Sequence, residues 1–119
     1  MDWYCENVIH GDLDVEMVYE SDTVLAFQHT KPFWEHHIVA VPKEHIVSMT
    51  SEGARNADLM AEIMSLMSRL AEEFEEKYGG CHIGTNVGTY QSARHLHWYI
   101  HAGERIRDKQ GVLIERRSE

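Results

Sequence analysis

Long apolar runs, a dense cysteine pattern and an excess of basic residues are all missing from this sequence. The longest apolar stretches span only a few residues, so we expect neither a membrane-spanning segment nor a secretory signal. Two cysteines, Cys5 and Cys81, are too few for a disulfide framework, and we interpret them as thiols of a cytoplasmic protein. Because internal repeats, low-complexity segments and linkers are also lacking, the sequence indicates a single domain over residues 1–119.

Basic residues are outnumbered: 11 Lys and Arg against 20 Asp and Glu give a formal charge of −9. Such an acidic surface repels phosphate backbones and anionic lipids, so neither nucleic acid nor a membrane is expected as a partner. A small phosphorylated ligand is compatible with this charge only where local groups hold it. The residue type in clear excess is histidine, of which there are nine.

The hydrophobic periodicity predicts an α+β domain. Four segments of strand length precede the most histidine-rich stretch: residues 16–21, 23–30, 36–42 and 81–87. Apolar residues at helical spacing predict one long helix from Asn56 to Tyr78, ended by Gly79 and Gly80, and residues 5–12 predict a short N-terminal helix. Because the early connections are short, we expect an antiparallel five-stranded sheet with the long helix on one face.

The stretch HLHWYIHAG, residues 95–103, places a polar ring at every second position. Side chains alternate between the two faces of a strand, so this pattern predicts one polar face and one apolar face. The two sets are His95, His97, Tyr99 and His101 against Leu96, Trp98 and Ile100. We expect the apolar set to pack under the helix and the polar set, including His97, to be exposed on the other face.

Three explanations of the polar face compete. It can be a solvated face with scattered histidines. It can be a metal site, since imidazoles at i and i+2 ligate zinc. One known motif of this kind needs an aspartate where this chain has Tyr99, and another needs a nearby downstream carboxylate, for which this chain offers only Glu104. It can also serve nucleophilic catalysis, in which an imidazole forms a covalent phosphohistidine without a metal.

The segment QSARHLHWYIHAG, residues 91–103, resembles the signature of the histidine triad (HIT) family, in which Gln-Ser/Thr-x-x precedes His-x-His-x-His and a glycine. Residues 26–46 are similar to the family's strand, proline-containing turn, apolar strand and Pro-Lys-x-His-Ile, and Cys5 to Gly11 match its opening Cys-x-x-(Ile/Val)-x-x-Gly. The likeness covers residues 2 to 104 and leaves a charged C-terminal tail, residues 104–119. It implies a HIT-like fold, usually assembled as a homodimer, that binds purine nucleotides and splits bonds at the α-phosphate.

The resemblance also implies a role for each matching residue. His97 would be the nucleophile that takes the nucleotidyl group, His95 would support it, and His37 would contact the phosphate or the leaving group. The remaining nucleotide and phosphate contacts would come from Asn86, Gln91, Ser92, His29 and Phe27. No cofactor is required for this chemistry. The implied protein is a nucleotide hydrolase or nucleotidyl transferase, and the alternative is a nucleotide-binding regulator or scaffold with little turnover.

Three departures from the family pattern leave the substrate open. Tyr99 replaces the third histidine, and since a phenol donates only a neutral hydrogen bond, we expect slower catalysis. His29 stands where nucleoside-binding members carry an aspartate for the ribose hydroxyls. The loop from Asn86 to His95 is shorter than the common form and lacks its Gly-Gly.

A structural zinc is a further possibility implied by the resemblance. Some bacterial relatives ligate zinc with Cys-x-x-Cys, the histidine of Pro-Lys-x-His and the first triad histidine. Here Cys5, His45 and His95 match, whereas Asp2 occupies the first cysteine position. A bound zinc and a buried thiol beside hydrogen-bonded histidines are therefore both open.

Overall fold

The long helix, α1, runs Ala57–Tyr78 in the computed structural model, which describes residues 4–9, 11 and 14–114. Its first turn is capped by Asn56, whose side chain accepts a hydrogen bond from the Leu59 amide at 3.2 Å. Its last turn ends at Gly79, which takes the left-handed conformation at φ 86°. The predicted helix and its end at Gly79 are confirmed, and Asn56, predicted as its first residue, is its cap.

Five antiparallel strands form one sheet in the order β1-β2-β3-β5-β4. They are β1 Met17–Glu20, β2 Val24–Gln28, β3 Trp34–Pro42, β4 His82–Thr85 and β5 Trp98–Arg105. A short π-helix at Cys5–Ile9 precedes them, and 3-10 turns lie at Glu52–Arg55 and Gly88–Tyr90. The prediction of an antiparallel five-stranded sheet with one long helix and one short N-terminal helix is confirmed. No helix of the described residues combines the length and apolar character needed to cross a bilayer.

Strand β5 begins at Trp98, whereas the prediction began it at His95. The two preceding histidines lie outside the sheet ladder because the chain is held there by another contact, in which the Leu96 amide donates to the Ile46 carbonyl at 2.6 Å. The expected alternation is nevertheless present. Leu96 and Ile100 are buried in the core beneath α1, and the side chains of opposite parity lie on the other face.

The sheet separates two apolar cores. The larger lies between the sheet and α1 and includes Ile63, Leu66 and Phe74 of the helix. The smaller lies on the opposite face, where Tyr4 of the N-terminal helix meets buried side chains of β2 and β3. The histidine-rich site borders this smaller core. Cys5 and Cys81 are not joined by a disulfide, as the sequence predicted.

The chain after β5 folds back onto the loop before β3, within the charged segment predicted from residue 104. Strand β5 continues to Arg105, and the Ile106 amide then donates to the Phe33 carbonyl at 2.8 Å. Arg107 Nε donates to the Pro32 carbonyl at 2.9 Å, and Arg107 pairs with Leu113 in an isolated antiparallel bridge. These contacts fix the loop before β3 against the end of β5, which shapes one wall of the site.

Candidate active site

A cavity of about 300 Å³ opens on the face of the sheet opposite α1. Its walls come from β3, β5 and the loops that precede them: His29, Phe33, Trp34, His37, Val39, Asn86, Ser92, His97, Tyr99, His101 and Arg105. A second cavity of about 380 Å³ adjoins it and is also lined by Phe27 and Tyr4; the two cavities share His29, Phe33, Val39 and Ser92. Of the predicted catalytic and nucleotide-binding residues, only His95 and Gln91 line neither cavity.

His97 is fixed in one tautomer at the cavity wall. Its Nδ1 lies 2.9 Å from the His95 carbonyl oxygen, and because a carbonyl can only accept, Nδ1 carries the proton. In the neutral ring, Nε2 therefore carries the nucleophilic lone pair. The expected exposure of His97 is wrong, since only 7% of its surface is accessible. The reason is tertiary: the ring of Tyr4 packs 5.2 Å from the His97 ring.

His95 lies behind the cavity wall and is fully buried. Its Nε2 donates to the Pro42 carbonyl at 2.8 Å, so the lone pair of the neutral ring is on Nδ1. That nitrogen faces Cys5 Sγ at 3.4 Å. The carbonyl that orients His97 thus belongs to a residue whose ring is held on both sides. Because His95, His97 and His101 are buried, the explanation of the polar face as a solvated surface is wrong.

His29 and His37 have the opposite tautomer to His97. Nδ1 of His37 accepts from the Phe33 amide at 3.1 Å, and Nδ1 of His29 accepts from the Lys31 amide at 3.0 Å. Each ring therefore presents an Nε2–H donor. The two rings stack with centroids 4.4 Å apart.

Both of these stacked rings are neutral at pH 7. Burial, and then the neighbouring charges of His29, His101 and His97, lower the pKa of His37 to about 3. Burial, and then the charges of His97 and Arg107, lower the pKa of His29 to about 4. The cavity therefore combines one imidazole with a basic Nε2 and two imidazoles with donor Nε2–H groups.

Tyr99 lines the cavity between two other aromatic side chains. Its ring meets His37 edge-on at 6.5 Å and His101 at 5.7 Å. Its hydroxyl end lies over β4, where a Cβ at Gly84 would approach the hydroxyl oxygen to 2.6 Å. The tyrosine therefore needs a glycine on the neighbouring strand, a requirement that no local sequence pattern contains.

Gln91 holds the loop before β5 in place. Its Nε2 donates to the Val47 carbonyl at 2.7 Å and its Oε1 accepts from the Gly88 amide at 3.1 Å. Asn86 and Ser92, on either side of it in the loop, both reach the cavity. A direct contact of Gln91 with phosphate stays a prediction, while its present contacts give it a positioning role.

The family model of the HIT domain matches residues 10–106. The chain belongs to the HIT family. An uncharacterised HIT-like protein of Helicobacter pylori is 28% identical to this HIT protein over 102 residues, which are 84% of this chain and 95% of the relative. A histidine triad protein from Clostridium difficile has 30% identity and a TM-score of 0.71 over 88% of this chain and 92% of its own.

A HIT family hydrolase from Legionella pneumophila superposes on this HIT protein with a TM-score of 0.73. It has 24% identity and covers 87% of this chain and 94% of its own. At that identity the likeness concerns the fold, which is the one predicted from the sequence.

The outer end of the cavity was not assigned a role from the sequence of this HIT protein. It consists of Phe33, Trp34, His101 and Arg105. The Trp34 and His101 rings stack at 4.2 Å, and the register of β3 and β5 pairs Trp34 with Arg105. Strand parity was the available signal, because Arg105 continues the odd-numbered series of His97, Tyr99 and His101.

A cluster of possible zinc ligands lies behind His95 in this HIT protein. Cys5 Sγ is 3.4 Å from His95 Nδ1 and 3.6 Å from His45 Nδ1. Tetrahedral zinc separates a sulfur and a nitrogen ligand by about 3.5 Å. The donor set therefore fits zinc, and the fourth candidate, Asp2, lies outside the described residues.

Proposed function

We propose that this HIT protein is a nucleotide hydrolase or nucleotidyl transferase that acts at the α-phosphate of a purine nucleotide conjugate through a covalent nucleotidyl-His97. The observation that carries the proposal is the tautomer of His97, whose Nδ1–H is held by the His95 carbonyl at 2.9 Å. Such an imidazole is oriented to attack through Nε2.

In the proposed reaction, Nε2 of His97 forms a bond to the α-phosphorus while the bond to the leaving group breaks. Water then attacks the phosphohistidine and releases the nucleotide, or another acceptor takes the nucleotidyl group. The Nε2–H groups of His37 and His29 donate hydrogen bonds to phosphate oxygens, assisted by Asn86 and Ser92. Donors held before the reaction stabilise developing charge without reorganisation, which is the main contribution of the protein in phosphoryl transfer.

The second cavity suits the nucleoside. The rings of Tyr4, Phe27 and Phe33 line it and offer flat apolar surface to a base. His29 and Ser92 line both cavities, so they lie where the ribose would join the base to the phosphate.

The test is rapid-quench labelling with adenosine and guanosine conjugates that carry a radioactive α-phosphate. Wild type is expected to form a covalent nucleotidyl-enzyme. His97→Asn is the sharpest variant, because its amide can still donate to the His95 carbonyl while no nucleophilic nitrogen replaces Nε2. It is expected to form no adduct. Adduct formation or undiminished turnover by a folded His97→Asn protein contradicts the mechanism.

The alternative is a nucleotide-binding regulator with little turnover, and Tyr99 is the observation that favours it. A tyrosine in the third triad position supplies no positive charge at neutral pH, and its hydroxyl lies over Gly84. The same labelling experiment separates the two functions. Saturable nucleotide binding by wild type without any adduct supports the regulator.

We also propose that Cys5, His45 and His95 hold a structural zinc. The metal would fix His95 and hence the carbonyl that orients His97, while the hydrogen bond from His95 to Pro42 supports this ligand from behind. Metal analysis of the purified protein and the thermal midpoint with and without a chelator test this proposal. One zinc per chain and a lower midpoint after chelation are expected. His45→Gln removes an exposed ligand, so a chelator is expected to leave the thermal midpoint of this variant unchanged. A wild-type protein that contains no metal and whose midpoint does not change with the chelator contradicts the proposal.

A further inference from the structure

Arg105 presents unused hydrogen-bond donors at the outer end of the cavity. Its Nε donates to the Arg107 carbonyl at 2.6 Å, which fixes the guanidinium plane. The guanidinium carbon lies 5.6 Å from the Trp34 ring centroid and 5.9 Å from that of Phe33. Within residues 4–9, 11 and 14–114, neither terminal nitrogen has a hydrogen-bond partner and no carboxylate lies within ion-pair distance. A fixed guanidinium of this kind is suited to bind phosphate through two parallel bonds.

The charge around the cavity is opposite to that of the chain. The protein carries a formal charge of −9, yet no described Asp or Glu lines either cavity. Arg105 lines the first cavity and Lys31 lines the second. The charge of Arg107 also reaches the site, since it helps to lower the pKa of His29. Local positive charge in an acidic protein selects anionic ligands, and one α-phosphate, which His37 and His29 already bind in the proposed reaction, does not account for a further guanidinium in the cavity.

His101 gives independent evidence that this end is shaped for a ligand rather than for stability. Its Nδ1 is buried and has no hydrogen-bond partner among the described residues. Buried polar atoms without partners are rare and cost free energy. The ring is held by stacking on Trp34 instead.

The chemistry of the leaving group points the same way. An amine leaving group must take up a proton as its bond to phosphorus breaks. His37 and His29 are poor sources, because burial lowers the pKa of each ring to about 3 and about 4, and both rings are neutral at pH 7. A phosphate leaving group needs no proton, since the electron pair of the broken P–O bond stays on its oxygen as negative charge.

We infer that the leaving group is an anionic phosphate chain, as in a nucleoside polyphosphate conjugate, and that Arg105 is the residue that selects it. The inference rests on the proposed nucleotidyl transfer to His97. As Nε2 of His97 bonds to the α-phosphorus, the P–O bond to the β-phosphate breaks and its electron pair moves to the departing oxygen. Arg105 binds the phosphates beyond that oxygen and stabilises the charge that they gain.

The test compares two substrates that share a nucleoside: a dinucleoside tetraphosphate and a phosphoramidate with a small uncharged amine. Arg105→Gln is expected to lower kcat/KM for the tetraphosphate at least tenfold and to change that for the phosphoramidate less than twofold. Arg105→Lys should restore a substantial part of the rate, because it restores the charge. Arg55→Gln, which removes one charge from an exposed position outside both cavities, is the matched control and should match wild type.

Inorganic tripolyphosphate probes the outer end without a nucleoside. It should inhibit wild type competitively and inhibit Arg105→Gln at least tenfold more weakly. Equal losses of kcat/KM on both substrates in Arg105→Gln overturn the inference, and so does a wild-type preference for the phosphoramidate. The proposed function stands in either case if nucleotidyl-His97 still forms. If wild type forms no adduct with either substrate, the proposed function and the inference both fail.

Discussion

Replacing Gly84 with alanine should disturb Tyr99 more than any other small change in the sheet. A Cβ at this position would lie 2.6 Å from the Tyr99 hydroxyl oxygen and 2.8 Å from its Cζ. Favourable contacts between heavy atoms begin near about 3.5 Å, so the ring must move by roughly 1 Å. Because the ring is flanked by His37 and His101, we expect the shift to cost about 1–3 kcal/mol of the free energy of unfolding.

Gly80→Ala is the matched control for this substitution. No atom lies within 4 Å of a Cβ built at Gly80, and its backbone is not left-handed. Both substitutions restrict the unfolded chain equally, an effect of about 0.4–1 kcal/mol that favours folding. The difference between the two variants in urea unfolding therefore isolates the contact with Tyr99.

A double-mutant cycle with Tyr99→Ala completes the experiment. Without the ring, Gly84→Ala should become as mild as Gly80→Ala, giving a coupling free energy of about the same 1–3 kcal/mol. Equal unfolding midpoints for Gly84→Ala and Gly80→Ala in the wild-type background would refute the packing argument. So would a cost at Gly84 that persists in the Tyr99→Ala protein.

Four further outcomes are expected. The pKa of His37 is lower in the folded protein than in the unfolded chain, so its contribution to stability is complete above about pH 6.5 and is lost as the pH falls towards 3. Urea unfolding at pH 7 and at pH 5 should therefore show that His37→Gln loses less free energy of unfolding than wild type does. The difference between the two proteins is at most about 1.4 kcal/mol per pH unit. Tyr99→His should raise the single-turnover rate several-fold, because it restores a charge-assisted donor that lowers the activation free energy by about 1 kcal/mol. An unchanged rate in both Tyr99→His and Tyr99→Phe would show that the hydroxyl has no catalytic part. Asn56→Ala should cost about 1 kcal/mol in the same unfolding assay through loss of the cap on α1. Light scattering should give about twice the chain mass of 13.8 kDa at micromolar concentration, and a species of the chain mass would exclude the expected homodimer.

The helix and the order of the strands could be predicted because local chemistry determines them. The helical spacing of apolar residues from Leu59 to Phe74 identifies α1, and Asn56 and Gly79 mark its ends. The start of β5 could not be predicted in the same way. The pattern of residues 95–103 is periodic throughout, but the hydrogen bond from Leu96 to Ile46 is a contact between distant segments that no local signal contains.

In the candidate site, too, the residues within a local pattern could be predicted and those that depend on contacts between distant segments could not. His97 and His37 could be named because they fall within a short pattern that resembles a known family. The glycine beneath Tyr99 and the guanidinium beside Trp34 depend on which strands are neighbours and in what register, so they became visible only in the folded chain. The burial of His97 was missed for the same reason, because Tyr4 covers it from the opposite end of the sequence.

The contact between Cys5 and His95 spans 90 residues, so the N-terminal helix meets the segment before β5 behind the nucleophile. Closing so long a loop adds only about 1 kcal/mol of entropy relative to a 20-residue loop, yet contacts of this separation form late in folding. The local α1 and the β1–β2 hairpin can therefore assemble before the site exists. During synthesis the site can close only after the last strand has left the ribosome. Because Tyr4 packs against the His97 ring, a proteolytic cut that releases Tyr4 would uncover that imidazole.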